Sequence, residues 1–169
     1  TNVPIVTKPG NQTNPVIATE ATGTILHLLW VDETAGNKDI YYAASNGLPE
    51  TSLAGRNIVD DNSGADQLTP VIITTGSTVA GLRVFACWQD TRNVSKSGNT
   101  DLYFVEVNHG KETNVFVGNN ATSSNKSASV IGVDKYGYPY LVWADDRNQN
   151  IDIYYAGSTF VHSNALASQ

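Results

Sequence analysis

Short apolar runs along this chain alternate with polar, turn-forming segments, and the same order of apolar and polar positions occurs three times. The clearest shared segment begins at a tryptophan: WVDETAGNKDIYYA from Trp30, WQDTRNVSKSGNTDLYFV from Trp88 and WADDRNQNIDIYYA from Trp143. In each copy an apolar strand ends near the Trp, a polar turn follows, and a second apolar strand begins after an Asp. The pattern therefore predicts three copies of one antiparallel β unit.

Each copy contains further strand signals around this hairpin. A short run precedes it (strand A, 15–18, 70–73 and 129–132), and the hairpin joins strand B (25–31, 82–88 and 138–143) to strand C (40–43, 102–105 and 153–156). A fourth run, strand D, follows in the first two copies, at 57–59 and 114–117. Strand B is apolar at consecutive positions, which predicts burial on both faces between neighbouring sheets.

The length of the repeat favours a β-propeller. Trp30 to Trp88 is 58 positions and Trp88 to Trp143 is 55, which is too long for helical or leucine-rich repeats but suits a four-stranded blade. We expect an all-β propeller segment, a single domain over residues 1–169, with blades at 15–61, 70–118 and 128–157. Propellers typically have about 4 to 8 blades, so three are too few to close a ring.

The two ends of the chain are out of phase in a complementary way. Val3 precedes Pro15 by 12 positions, as Ile58 precedes Pro70, so the N-terminal segment corresponds to a strand D with no blade of its own. The third blade lacks its outer strand, because the tail after Ala156 offers at most a stub around Phe160 and Val161.

This offset predicts strand exchange between copies. Residues 1–8 supply the exchanged strand through Val3, Pro4, Ile5, Val6 and Thr7. The acceptor edge in another copy is strand C of the third blade, at Ile153, Tyr154, Tyr155 and Ala156. An open strand edge invites such pairing, and Pro4 is tolerated on an outermost strand. Head-to-tail exchange gives a closed six-bladed dimer or, at another joint angle, a filament.

Aspartates flank each hairpin in a regular way. One set follows the Trp by two positions and the other opens strand C, so that the repeated motif is Trp30, Asp32, Asp39; Trp88, Asp90, Asp101; Trp143, Asp145, Asp152. We interpret these carboxylates as structural acceptors for loop N–H groups, with Arg92 and Arg147 as ionic partners. The alternative is one calcium ion per hairpin, although the spacing matches no standard calcium loop. No metal or other cofactor is otherwise expected.

The pattern W-x-D-x-R-x-x-N-x-D-I-Y-Y resembles the propeller repeats of bacterial and archaeal exported and cell-surface proteins, in the TolB-like and sialidase-like range. The resemblance covers residues 3–160 and implies the propeller fold, whereas such blades serve many functions. The turn after strand C, Ser45–Thr51, lacks the Asp and the closing Trp of an Asp-box, so the motif is degenerate there.

Composition narrows the set of partners and the location. A net charge of −6 argues against nucleic acid and anionic membranes, and no apolar run is long enough for membrane insertion. The absence of Met indicates a processed or excised chain. Four sequons, at Asn11, Asn93, Asn120 and Asn125, fit an extracellular or cell-surface glycoprotein. Cys87 is the only cysteine and is predicted to be a buried core thiol.

Catalytic motifs are not found in the sequence, and no enzyme activity is expected. His27 aligns with Phe85 and Tyr140, so it is interpreted as a packed strand residue. We therefore expect a self-assembling extracellular structural subunit whose partners are other copies of itself. The alternative is a carbohydrate- or protein-binding module, with glycans or a cell-surface protein as its partner. Its best sugar-stacking candidates are three alternating tyrosines, at 136, 138 and 140.

Overall fold

The protein is all-β, and in the part of the chain that the structure describes its repeated apolar segments form eleven strands in three antiparallel sheets. The structure is a computed structural model. It describes residues 2–21, 23–45, 53–76, 81–94, 98–107, 113–118 and 124–157. Within these ranges, no helix has the length and apolar character needed to span a membrane.

Each sheet is a meander in which consecutive strands pair. The first sheet contains β1 (Gln12–Thr19), β2 (Leu26–Asp32), β3 (Asp39–Ser45) and β4 (Arg56–Asn57). The second contains β5 (Gln67–Thr74), β6 (Val84–Asp90), β7 (Asp101–Glu106) and β8 (Val115–Val117). The third contains β9 (Lys126–Val133), β10 (Pro139–Asp145) and β11 (Asp152–Ala156). The predicted strands A to C of all three repeats and strand D of the second are confirmed, whereas strand D of the first repeat ends at Asn57 and shares only that residue with the predicted 57–59.

The first strand of every sheet is longer than predicted because it begins before a bulge. Asn14, Thr69 and Ala128 occupy the same place in the repeat, and their φ angles are 50°, 47° and 49°. Pairing with the second strand shifts register near each of these positions. An extra residue in the left-handed region locally bends a strand and increases its twist. The repeat therefore preserves a backbone feature that its apolar pattern does not reveal.

The sheets pack face to face in chain order. We call the side that carries the tryptophan the Trp face and the other side the opposite face. The Trp face of the second sheet packs on the opposite face of the first, in a cluster that includes Trp88, Tyr103, Leu29, Val31 and Ile40. The third sheet packs on the second in the same way, through Trp143, Leu141, Phe85, Cys87 and Phe104. The second sheet thus lies between the other two.

Burial of the second strand confirms the prediction for two sheets and corrects it for the third. All residues of β2 from His27 onward are buried, and β6 is buried at every position except Gln89. In β10, by contrast, buried residues alternate with less buried ones, and Tyr140 and Val142 are exposed. Consecutive apolar residues were expected to be covered on both sides, but β10 is covered by the second sheet on its Trp face alone.

Candidate assembly site

The repeated hairpins are held by one hydrogen-bonded arrangement. Each tryptophan indole donates to the Asp two residues later, at 3.0 Å for Trp30–Asp32, 3.1 Å for Trp88–Asp90 and 3.2 Å for Trp143–Asp145. The other carboxylate oxygen accepts the backbone N–H of Thr34, Arg92 or Arg147, at 2.9, 2.8 and 3.0 Å. Residues i and i+2 share one face of a strand, which is why the indole reaches this carboxylate. The first aspartate set is therefore placed as the structural interpretation requires.

Arginine completes the arrangement in the second and third repeats. Arg92 donates to Asp90 at 2.8 Å and to Asp60 at 2.8 Å, and it stacks on the Tyr103 ring at 3.8 Å. Arg147 pairs with Asp145 and stacks on Tyr154 at the same 3.8 Å. Burial would raise the pKa of Asp145, but hydrogen bonds from Arg147 and Trp143 outweigh it and hold that pKa well below its usual value.

The second aspartate set is held mainly by asparagine amides. Asn37 donates to Asp39 at 3.0 Å, Asn93 to Asp101 at 3.0 Å, and Asn148 to Asp152 at 3.0 Å. Asp101 also pairs at 2.9 Å with the ammonium of Lys126, which is buried between the second and third sheets. Across the part of the chain that the structure describes, no group of three or more His, Cys, Asp or Glu side chains is arranged to hold a metal ion.

The N-terminal segment lies on the Trp face of the first sheet. Ile5 and Val6 pack against the cluster of Leu28, Trp30, Ala43 and Leu53, and the Leu53 N–H donates to the Ile5 carbonyl at 2.8 Å. The structure assigns no strand to residues 3–7. The second sheet has a comparable cover on its Trp face, where Ile58 and Val59 pack after β4. The segment thus covers the first sheet from the side where strand D of a preceding repeat would lie.

Lys8 supplies a positive charge where the first repeat lacks the arginine of the other two repeats. Thr34 stands where the other repeats have Arg92 and Arg147. Lys8 lies over the Tyr41 ring at 4.7 Å, which is the ring that corresponds to Tyr103 and Tyr154. A cation over an aromatic face is stabilising by about 0.5–1 kcal/mol at an exposed site. The N-terminal segment is therefore part of the first repeat's hairpin and not only a cover for it.

Gly55 brings the chain before β4 close to Trp30. A Cβ added at Gly55 would lie 2.1 Å from the ring atom Cη2 of Trp30, so any larger residue would force the two apart. Together with Ile5, Val6 and Leu53, this contact leaves Trp30 only 3% exposed although none of the described sheets lies in front of it. We call Ile5, Val6, Leu53 and Gly55 the N-terminal cap of the first sheet.

The outer edge of β11 is open among the described residues. In the second sheet β8 covers the corresponding edge, and Phe116 packs edge-on against Tyr103 with ring centroids 5.8 Å apart. In the third sheet a cavity of about 340 Å³ lies there instead, lined by Trp143, Arg147, Tyr154, Tyr155 and Ala156 with Gly118 and Gly157. The residues around Phe160 and Val161, predicted to give at most a stub, lie outside the described residues. The predicted acceptor edge is therefore open in this chain as far as residue 157.

The opposite face of the third sheet is apolar and exposed. Val130 is 61%, Val142 40%, Ile153 73% and Tyr155 76% exposed. Their counterparts in the first two sheets are covered, since Leu29 and Cys87 correspond to Val142 and are 0% exposed. Soluble monomers rarely expose large contiguous apolar patches, and such patches commonly mark interaction sites. We call this surface the open face, defined by Val130, Tyr140, Val142, Ile153 and Tyr155.

The remaining predicted site residues are scattered over the surface and the core. Asn11 and Asn125 are exposed, whereas Asn93 is half-buried and donates to both Asp101 and Tyr103, which makes it the least accessible of the three described sequons. Asn120 lies outside the described residues. Tyr136 and Tyr138 are 62% and 41% exposed on the β9–β10 hairpin.

His27 and Cys87 have core environments, as predicted. His27 is buried, with Nδ1 at 2.7 Å from the Tyr42 hydroxyl and Nε2 at 3.5 Å from a Glu20 carboxylate oxygen, and burial lowers its pKa. Cys87 is fully buried, and desolvation raises the pKa of its thiol to about 12. Both side chains therefore behave as packing groups at neutral pH.

Sequence reasoning missed the contact of Lys8 with Tyr41 and the exposure of the third sheet. A signal for the first was present, because Thr34 breaks the arginine position of the motif and Lys8 is a basic residue in the unpaired N-terminal segment. No comparable signal existed for the second, since Val142 and Ile153 are as apolar as their buried counterparts. No protein-family model matches the chain, and no curated protein matches it significantly.

Proposed function

We propose that this protein is a self-assembling structural subunit of the cell exterior, whose copies join head to tail by donating the N-terminal strand. The observation that carries the proposal is the third sheet, which has an open edge at β11 and an open apolar face in the described chain. Exposed strand edges and large apolar patches both favour association. The exposed sequons Asn11 and Asn125 support the extracellular location.

The registers of the first two sheets suggest how the donated strand pairs. The Ile58 N–H donates to the Ile40 carbonyl at 3.0 Å, and Val117 lies opposite Leu102. Ile40 and Leu102 correspond to Ile153, and Ile58 and Val117 correspond to Val3 by their 12-residue distance from the following strand. The donated segment, Val3 to Thr7, is therefore expected to pair along β11 with Val3 opposite Ile153 of another copy. Repeated exchange gives a six-bladed ring from two copies or a filament.

Disulfide trapping tests this pairing directly. Val3→Cys and Ile153→Cys replace two exposed residues, and paired strands bring Cα atoms within about 4.5–5.5 Å, which a disulfide can bridge. Cys87 is buried and its pKa is about 12, so the native thiol is not expected to form disulfides under mild oxidation. Within one chain the second sheet lies between the two positions, so only a bond between copies can form.

We expect a covalent dimer, or a ladder of oligomers if the assembly is a filament, on non-reducing gels after mild oxidation. The matched control pairs Val3→Cys with Tyr136→Cys, an exposed position on the β9–β10 hairpin. Light scattering on the unmodified protein and on a variant lacking residues 1–8 gives the assembly state independently. A wild-type protein that stays monomeric at high concentration, or equal cross-linking in both pairs, would contradict the proposal.

A binding module for carbohydrate or protein is the second candidate. It is favoured by the exposed tyrosines Tyr136, Tyr138 and Tyr140 near one hairpin, because aromatic side chains supply apolar faces with a polar tip. A glycan array probed with the wild-type protein and with Tyr136→Ala/Tyr138→Ala tests it. Binding that is lost in the double variant would establish this function, and an array without any signal would count against a sugar ligand.

A further inference from the structure

The first strands of the three sheets, β1, β5 and β9, show which contact is missing at each end of the stack of sheets. Val16 of β1 and Ile72 of β5 belong to the cluster between the first and second sheets. Val71 of β5 and Ile131 of β9 occupy the same two positions in the cluster between the second and third sheets. The same pair of side chains, one from each neighbouring strand, is therefore used at both sheet interfaces.

Each member of a third such pair is present in the chain but uncovered. Val130 corresponds to Val16 and Val71, and it is 61% exposed on the opposite face of the third sheet. Ile17 corresponds to Ile72 and Ile131, and it is 57% exposed on the Trp face of the first sheet. The two exposed residues lie at opposite ends of the stack, so they cannot meet within one chain.

We infer that β9 of one copy packs beside β1 of a second copy, with Val130 against Ile17, so that the open face of the third sheet is covered by the first sheet of the next copy. The equivalent faces of the first and second sheets are each covered by the Trp face of the next sheet, which carries an isoleucine on its first strand. No charged side chain lies among the residues of the open face or at Ile17, so the contact needs no ionic partner. The contact is heterologous, because the two surfaces differ.

The N-terminal cap is compatible with this contact. The cap covers Trp30 through residues 5, 6, 53 and 55, whereas Ile17 lies on β1 and remains exposed beside it. The interface of the first and second sheets has the same two parts: Ile58 and Val59, which follow β4, cover one part of the second sheet, and Val16 of β1 covers another. This inference rests on the proposed head-to-tail assembly and adds the surfaces that meet in it.

Two charged variants and their mixture test the contact. Val130→Lys places a charge on the open face, and Ile17→Glu places one on the Trp face of the first sheet. In a sample of either variant alone, every contact between copies would bury an unpaired charge, so self-association is expected to weaken by at least ~10-fold. An equimolar mixture retains one intact pair of surfaces and sets the introduced lysine against the introduced glutamate at the other pair, so it is expected to recover association that each variant alone loses. Tyr136→Lys, which adds the same charge on the nearby hairpin, is expected to assemble like the wild type. Size-exclusion chromatography with light scattering measures these four samples and the wild type.

The outcomes separate this inference from the proposed function. If Val3→Cys/Ile153→Cys still cross-links specifically while Val130→Lys and Ile17→Glu assemble normally, strand donation stands and the face contact is wrong. If Val130→Lys prevents assembly but Ile17→Glu does not, the open face pairs with itself and the inference is overturned. If the wild type is monomeric and the cysteine pair does not cross-link, the proposed function fails together with the inference.

Discussion

The first and third sheets are built from the same repeat, yet their outward faces differ. The first sheet hides its outward Trp30 behind the N-terminal cap, whereas the third sheet leaves its outward Val130, Val142 and Tyr155 in solvent. Both sheets bury their inward faces against the second sheet. The apolar residues of each repeat are therefore positioned to pack against a neighbouring sheet. At each end of the stack of sheets, either another segment of the chain covers the apolar face or the face stays available for a partner.

The comparison also shows that the hydrogen bonding of the hairpin does not depend on whether the sheet is covered. The Trp-to-Asp hydrogen bond has nearly the same length in all three repeats, 3.0 to 3.2 Å, whether the sheet is central or terminal. The motif is thus a local unit formed by residues close in sequence, while the cover of each face is a long-range property. Experiments on stability can test this contrast between the two ends of the stack.

Removing the tryptophan should cost most where a whole sheet covers it. Trp143→Ala empties the cluster between the second and third sheets and is expected to lower the free energy of unfolding by about 3–5 kcal/mol. Trp30→Ala should cost less, because the N-terminal cap is a chain segment and a loop that can collapse into the space. Urea denaturation of both variants and the wild type at one protein concentration measures the two losses. Equal losses would mean that the cap is as rigid as a sheet interface.

Removing the third repeat's arginine should have the next largest effect. Arg147→Ala leaves the buried Asp145 carboxylate without its ionic partner and is expected to cost about 1.5–3 kcal/mol. Arg147→Lys is the matched variant, since it keeps the charge but loses the planar stacking on Tyr154 and should recover only part of the stability. Thermal unfolding checks this order, and full recovery with lysine would show that stacking is unimportant.

The first repeat offers a smaller and more specific effect. Lys8→Ala removes the cation over Tyr41 and is expected to cost about 0.5–1 kcal/mol. Thr34→Arg restores the arginine of the other repeats and should make Lys8 dispensable, so the two changes should not be additive. A double-mutant cycle by urea denaturation measures the coupling. Strict additivity would mean that Lys8 does not replace the missing arginine.

The pH dependence should differ between the two ends. Burial lowers the pKa of His27, so the folded state keeps this side chain neutral while the unfolded chain takes up a proton below about 6.5. Stability is therefore expected to decrease as the pH falls from about 6.5, and His27→Phe, which introduces the residue found at the equivalent position 85, should flatten that slope. The lowered pKa of Asp145 contributes stability above about 3.8 that is lost only at more acidic pH. Melting temperatures between about pH 8 and pH 2 test both, and an unchanged slope in His27→Phe would contradict the first.

Calcium is expected to leave the stability of the protein unchanged. The hairpin carboxylates already accept indole, amide and backbone hydrogen bonds in all three repeats. An ion that binds only the folded state would raise its stability by mass action. We therefore expect the same melting temperature with added calcium and with chelator, and a steady increase with calcium would restore the metal-site alternative.

The repeating unit could be predicted from the sequence. Apolar periodicity, the Trp–Asp spacing and the turn residues specify interactions between residues close along the chain. The strands, the acceptance of loop N–H bonds by Asp32, Asp90 and Asp145, and the burial of Trp30, Trp88 and Trp143 could therefore be predicted. The left-handed bulge at Asn14, Thr69 and Ala128 could not, because these three residue types share no side-chain signature.

Which apolar faces are covered depends on the tertiary structure. Val142 and Ile153 have the same apolar character as the buried Leu29 and Ile40, so no local pattern distinguishes an exposed position from a buried one. Likewise, Ile5 and Val6 were assigned by phase to an outer strand, but their packing on the first sheet depends on Leu53 and Trp30, far away in sequence. Burial is a property of the neighbour as much as of the residue, and the neighbour is supplied by the fold.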